Sequence, residues 1–97
     1  MKAVFITYNQ SIADEVQEVL YNCSIRGFTK WTEIMGKGTN NGNPHEGTHT
    51  WPELNNAHLT IINDDQVLPL MIKLKELNDQ VEEQGLRAFV WNIESSI

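Results

Sequence analysis

The chain has little of several features that would define a class of protein. Its 97 residues include one cysteine, Cys23, so it forms no internal disulfide, and we expect a reducing compartment. The longest apolar run, Val67–Ile72, is far shorter than a membrane span and contains Pro69. The first residues enter a strand-like pattern directly, without the pattern of a signal peptide. We therefore expect a cytoplasmic protein that does not insert into membranes.

Positive charge is also scarce. Seven Lys and Arg residues stand against 13 Asp and Glu, which gives a formal net charge of −6. The basic residues form no cluster, so the chain is a poor electrostatic match for a nucleic-acid backbone. Catalytic patterns are missing as well: the segment after the first strand, 8–11, lacks the arginine of a phosphate-cradling loop, and Asp64-Asp65 fits a turn and helix cap. We expect neither nucleic-acid binding nor enzyme activity.

Hydrophobic periodicity predicts a single domain, 1–97, with the element order β-α-β-β-α-β. The predicted strands are Lys2–Tyr8, Phe28–Met35, Ala57–Ile62 and Leu86–Ile93. The first helix is predicted to begin with Ser11 as its N-cap, and the second to carry Pro69 in or near its first turn and to end at Gly85. This order is that of the α+β, ferredoxin-like fold, a four-stranded antiparallel sheet with two helices on one face.

The predicted strands are apolar on both sides. In the last strand Phe89 and Trp91 alternate with Ala88 and Val90, although helices cover only one face of such a sheet. A large apolar face is rarely left in water on a monomer, and self-association with closed symmetry is the usual way to bury it. The pattern therefore predicts a cyclic homo-oligomer, with Trp31 and Trp91 packed at its interface.

A long segment, 36–56, shows no periodicity and is rich in Gly, Asn and Pro. Loops this long in compact domains are usually functional or mobile. His45 and His49, with Glu46 and Glu53 nearby, are a reasonable ligand set for zinc, copper or nickel; solvated loop histidines are the alternative, because loop spacing does not place two rings together. Trp51, beside Pro52, is a candidate anchor for a protein partner.

Three stretches together resemble the P-II (PII) nitrogen-regulatory signalling proteins. Gly27–Gly38 is similar to the family's G-x-T-x-T-E-x-x-G-x-G strand, with one extra residue between the Thr and Glu positions. His58–Val67 resembles its third strand and the V-x-D-D-x-V helix entry, and Gly85–Val90 its final G-K-I-F-V strand. The resemblance implies a homotrimer that binds adenine nucleotides in clefts between subunits. It also implies that segment 36–56 is the T-loop that binds a partner, often a membrane transporter.

The resemblance also implies ligand-binding residues. By position, Thr29, Gly36 and Gly38 match residues near the nucleotide cleft, where glycines let backbone N–H groups approach phosphate oxygens. Lys37 and Arg87 are the cations expected near it, whereas the family's other phosphate-binding lysine and arginines have no match. An adenine nucleotide and a divalent metal thus both stay open as ligands. The alternative function is a metal-binding or metal-responsive trimer, related to divalent-cation tolerance or metal efflux.

Overall fold

The computed structural model describes residues 1–37, 44–45, 54–81 and 85–97. Its strands are β1 (Lys2–Asn9), β2 (Thr29–Ile34), β3 (Gly36–Lys37), β4 (Pro44–His45), β5 (Asn55–Ile62) and β6 (Arg87–Asn92), and its helices are α1 (Ala13–Asn22) and α2 (Asp64–Gln80). Four strands form one antiparallel sheet in the order β2-β5-β1-β6, and β3 pairs with β4 in a separate ladder. The predicted ferredoxin-like fold is confirmed. No helix in the described part of the chain is both long and apolar enough to span a bilayer.

The core lies between the helices and one face of this sheet. From β1, Val4, Ile6 and Tyr8 are fully buried there, because alternate side chains of a strand point to the same side. Apolar stripes on both helices meet them. The buried helical residues are Val16, Leu20, Leu70, Leu74 and Leu77. At about 1.5–3 kcal/mol for each large apolar side chain removed from water, this layer is the main source of stability.

Helix α1 begins differently from the prediction, and a residue with a positive φ follows its end. A short 3-10 turn, Gln10–Ile12, precedes the helix, so the N-cap residue of α1 is Ile12 and not Ser11 as predicted. Asn9 Oδ1 accepts a hydrogen bond from the Ser11 N–H at 2.8 Å. At the other end the N–H groups of Ser24 and Ile25 donate to the carbonyls of Tyr21 and Leu20 at 3.0 and 2.9 Å. This is a Schellman motif, and Ser24 occupies its left-handed position with φ 61°.

Strand β2 contains a β-bulge that the alternation did not predict. Trp31 pairs with Ala57 and Ile34 with Asn55, so three steps along β2 match two along β5, and Glu33 takes a positive φ of 55°. Ile34 therefore shares a face with Trp31, where simple alternation predicts opposite faces. The bulge absorbs one residue at the place where the sequence exceeds the family pattern by one residue.

Helix α2 begins as predicted, but Pro69 lies further inside it and the helix ends earlier than predicted. The backbone N–H of Asn63 donates to Gln66 Oε1 at 3.1 Å, half of a capping box, and Asp64 and Asp65 occupy the first turn. Pro69 is the sixth helical residue, beyond the first turn, and its ring nitrogen cannot donate to the carbonyl four residues earlier. The prediction that Gly85 closes this helix is wrong, because α2 ends at Gln80; Gly85, with φ 63°, precedes β6.

The predicted loop 36–56 is not irregular throughout. Gly36 and Lys37 pair with His45 and Pro44 in the β3–β4 ladder, and β5 already begins at Asn55. Hydrophobic periodicity did not reveal these strands, because main-chain pairing needs no hydrophobic pattern. The Gly, Pro and Asn residues here are also depleted in strands generally. Residues 38–43 and 46–53 lie outside the described part of the chain.

We predict that Ser24→Gly stabilises the protein by about 0.5–1 kcal/mol, because glycine adopts the left-handed conformation without steric cost. Chemical denaturation followed by circular dichroism measures the change. The matched control is Gln17→Gly in the exposed middle of α1, which should destabilise by about 1 kcal/mol. A loss of stability in Ser24→Gly would contradict the strain that we assign to Ser24.

Candidate functional site

The sheet face that the helices leave uncovered is mostly apolar. Phe89 is 56 % exposed, Trp91 48 %, Ile61 43 % and Trp31 42 %. The register places these side chains on one side with the rest of the face: Ala3, Phe5, Thr7, Thr29, Ile34, Ala57, Leu59 and Arg87. Phe5 and Trp31 already make an edge-to-face pair with ring centroids 6.4 Å apart. We call this surface the open face.

The open face becomes more polar toward the end where β2 leads into β3. The row of cross-strand partners there is Trp31, Ala57, Thr7 and Arg87, followed by Asn55. Gly36 lies directly beside this end: a Cβ atom placed on it would be 2.6 Å from Asn55 Nδ2. A larger side chain at this position would have to displace the Asn55 amide group, and the close approach places the start of the long segment against the sheet.

The structure separates the predicted ligand-binding residues into two groups. Thr29 is exposed on the open face of β2, and Gly36 and Lys37 follow in β3. Arg87 lies on β6, the opposite edge, where its Nη1 donates to the carbonyl of Leu86 at 2.9 Å. Three interstrand spacings, about 14 Å, lie between the edges. A single chain therefore does not bring both groups to one phosphate.

The predictions for the long segment mostly fall outside the described residues. Gly38, His49, Trp51 and Pro52 are among the residues that the structure does not describe. The backbone of His45 pairs with Gly36 in the small ladder. Within residues 1–37, 44–45, 54–81 and 85–97, no three His, Cys, Asp or Glu residues form a group that could hold a metal ion. The metal site at His45 and His49 stays a prediction.

A buried polar cluster in the core was not predicted from the sequence. Tyr8 Oη and His58 Nε2 are 2.6 Å apart, the two rings are nearly parallel at 17°, and the Phe28 ring meets His58 edge-on with centroids 4.9 Å apart. His58 has no exposed surface, and Asn56, also buried, lies on the same face of β5. Burial, followed by the nearby Lys30 charge, lowers the pKa of His58 to about 4, and burial raises the pKa of Tyr8.

The position of His58 does not follow from the hydrophobicity of its strand. In β5 the buried face carries Asn56, His58 and Thr60, whereas the open face carries Leu59 and Ile61. The more polar side of this strand is therefore the buried one. The sequence signal for this arrangement is the run of polar residues at every second position.

Comparison with known proteins gives matches at the level of structure. No family model matches the sequence, and no curated protein matches it. CPII of Thiomonas intermedia K12, a nitrogen regulatory PII-like protein bound to ADP, AMP and bicarbonate, superposes with a TM-score of 0.77 at 17 % identity, over 95 % of this chain and 84 % of CPII. This chain has the PII-like fold. The apo form of CPII gives a TM-score of 0.71 at 14 % identity, covering 95 % of this chain and 87 % of that chain.

A second PII-like structure supports the same assignment. A protein of Thermus thermophilus described as a PII-like signalling protein gives a TM-score of 0.67 at 17 % identity, over 95 % of this chain and 85 % of that chain. Because the match extends over nearly the whole chain, the PII-like fold accounts for both halves of the sheet and both helices. The fold prediction drawn from the Gly27–Gly38, His58–Val67 and Gly85–Val90 resemblance is confirmed.

We predict that His58 makes the stability of the fold depend on pH between about 4 and 6.5, the bounds set by its lowered and ordinary pKa values. The unfolded chain binds a proton at His58 in this range and the native chain does not, so stability falls as pH decreases, by up to about 3 kcal/mol. Denaturation at a series of pH values measures the slope. His58→Gln should remove this part of the slope, while the contribution of the carboxylates persists in both proteins; equal slopes would contradict the assignment.

Proposed function

We propose that this chain is a PII-like signalling protein. Three copies pack their open faces around a common axis, bind a small ligand where neighbouring subunits meet, and present the segment between β3 and β5 to a protein partner. A membrane transporter is the partner class that the sequence resemblance suggests. The protein acts through binding rather than catalysis.

The single observation that carries this proposal is the open face on a PII-like fold. Aromatic and aliphatic side chains of all four strands share that face, and Phe89, Trp31 and Trp91 are each more than two-fifths exposed. Such contiguous apolar surface resembles an interface core, in which tryptophan and phenylalanine are enriched. Burial between copies removes it from water, and closed symmetry leaves no face uncovered.

The ligand is proposed to bind across the subunit boundary. Gly36 and Thr29 lie at the β2 edge and Arg87 at the β6 edge, so a ring of subunits that sets one edge beside the other brings the two groups together. CPII, which shares the fold, is bound to ADP, AMP and bicarbonate in its structure. We propose an adenine nucleotide as the ligand here too. Its affinity should depend less on the terminal phosphates, because few cationic side chains lie nearby to neutralise their charge.

The partner-binding role is proposed for the residues that follow β3. Trp51 and Pro52 supply an aromatic anchor in a stretch with few charges of its own, which suits a pocket on a partner protein. The β3–β4 ladder and the Gly36 contact with Asn55 fix the place from which this segment leaves the sheet. We call residues 38–54, between β3 and β5, the recognition segment. A ligand at the β2 edge would therefore lie close to the start of this segment.

We predict that Phe89→Glu dissociates the trimer. A carboxylate on the buried open face would be desolvated without a partner, so association should weaken by at least about tenfold. Analytical ultracentrifugation should find three times the 11.1 kDa chain mass for the wild type and the single-chain mass for the variant.

The matched control is Leu68→Glu, which changes an even more exposed apolar residue, 67 %, on α2 and away from the open face. It should leave the trimer intact. A wild-type protein that sediments as one chain at micromolar concentration would contradict the proposal, as would equal behaviour of the two variants.

We predict micromolar binding of ADP or AMP by calorimetry, weakened at least about tenfold in Gly36→Val, whose side chain would displace Asn55. Gly27→Val is the matched control, since a Cβ atom there meets nothing within 4 Å. Bicarbonate, zinc, copper and nickel are titrated in parallel. Metal binding that is lost in the double variant His45→Ala with His49→Ala, together with no nucleotide binding, would replace this proposal by the metal-responsive alternative.

Subunit mixing tests whether the site is shared. Arg87→Ala and Gly36→Val should each abolish most nucleotide binding alone. In mixed trimers, one boundary joins the intact β2 edge of an Arg87→Ala subunit to the intact β6 edge of a Gly36→Val subunit, so a fraction of sites should recover. Mixtures that bind no better than either variant would contradict a shared site.

A further inference from the structure

Arg87 is the one charged side chain, among the described residues, that the strand register places on the open face. It pairs with Thr7 of β1, and its side chain is exposed in a single copy. One of its N–H groups is used locally, because Nη1 donates to the Leu86 carbonyl at 2.9 Å. Burial of the open face between copies would remove this guanidinium from water, and a desolvated charge needs a partner.

Trp31 lies at the other end of the same cross-strand row. The row runs from Trp31 through Ala57 and Thr7 to Arg87, and so from the β2 edge of the sheet to the β6 edge. The indole ring is 42 % exposed, and its edge-to-face contact with Phe5 restricts its rotation. The ring therefore has less conformational freedom to lose when it binds a partner.

Rotational symmetry would bring the two ends of this row together between copies. If β2 of one copy flanks β6 of the next, the strands run along the symmetry axis, and rotation about an axis preserves height along it. Residues of one cross-strand row share a height, since the row is perpendicular to the strands. Trp31 of one copy would then lie beside Arg87 of its neighbour, within the reach of a long arginine side chain.

We propose that Trp31 of one copy stacks on the Arg87 guanidinium of the next and positions it at the ligand site between them. This inference rests on the ring of subunits in the proposed function. Tryptophan attracts a cation more strongly than the other aromatic side chains do, and the attraction grows when the pair is removed from water. A guanidinium that is stacked by its plane keeps the N–H groups at its edge for phosphate oxygens. Trp31 would thus offset the desolvation of the cation and fix the direction of its donors.

The chain contains an internal reference for such a contact. Its other arginine, Arg26, lies over the Tyr21 ring of the same copy, with 4.6 Å between the guanidinium carbon and the ring centroid. The Nε–Hε signals of both arginines can be followed by nuclear magnetic resonance in the full-length protein labelled with nitrogen-15. An aromatic ring moves the signal of a proton above its face upfield. The Arg26 signal should be displaced at every protein concentration, whereas the Arg87 signal should be displaced only when the trimer forms.

Subunit mixing identifies the chain that supplies the ring. Labelled wild type in an excess of unlabelled Trp31→Leu should lose the Arg87 displacement, because leucine is apolar but has no aromatic face. Labelled Trp31→Leu in an excess of unlabelled wild type should retain it. If Trp31→Leu fails to assemble, Trp31→Tyr takes its place and should give a smaller displacement, since its ring current is weaker.

The matched control is Trp91→Leu as the unlabelled partner. Trp91 is also exposed on the open face, 48 %, but it pairs with Ala3 in a different row. The Arg87 signal of the labelled wild type should stay displaced in this mixture. Equal loss with the Trp31 and Trp91 variants would contradict the pair.

Sedimentation of the same samples separates this inference from the proposed function. A trimer in which the Arg87 signal is not displaced, or is displaced whatever residue the neighbouring chains carry at position 31, would overturn the pair and leave the proposed trimer standing. A wild-type monomer would overturn both. A displaced Arg87 signal in a trimer that does not bind ADP would support the pair and remove the nucleotide from the proposed function.

Discussion

The structure depends on one geometric constraint: two helices cover only one face of a four-stranded sheet. Each strand of a sheet presents two faces, and in this chain both are apolar in β1 and β6. The helix-covered side forms the core, and the other side keeps Phe89, Trp91 and Trp31 in contact with solvent in a single copy. The proposed assembly would bury that second face between copies of the chain.

Strand β5 meets this constraint in an unexpected way. Its residues toward the helices are Asn56, His58, Thr60 and Ile62, and those toward the open face are Ala57, Leu59 and Ile61. The polar groups are tolerated inside because they bond to one another and to the backbone, as Tyr8 does with His58 and Thr60 with the Gly27 carbonyl. A one-residue slip of β5 against β1 would break these bonds, so the cluster fixes the register that hydrophobicity alone would leave weakly specified.

Much of the fold could be predicted from the sequence because periodicity reports which side of an element is buried. The helical stripes that contain Leu20 and Leu77, and the strands around Val4 and Val90, were located on that basis. The misses share a physical cause: they depend on backbone conformation or on partners distant in sequence. The bulge at Glu33, the end of α2 before Gly85, and the pairing of Gly36 with His45 leave no hydrophobic pattern. Pro69 within α2 shows packing of the apolar stripe overriding helix propensity.

The candidate site was predictable only in part, since a site shared between subunits, as we propose, would not be a property of one chain. The resemblance assigned Thr29, Gly36 and Arg87 to strands that the structure contains, but could not show that they occupy opposite edges of the sheet. That separation gives the proposed ligand a structural consequence. A molecule bound across two edges would contact Gly36, which lies against Asn55, the first residue of β5. Just before β5, the carbonyl of Leu54 accepts a hydrogen bond from the Gln10 N–H at 2.9 Å. Ligand occupancy, subunit contact and the direction of the segment would therefore meet at the same few residues, so a change in any one of them alters the energy of the other two.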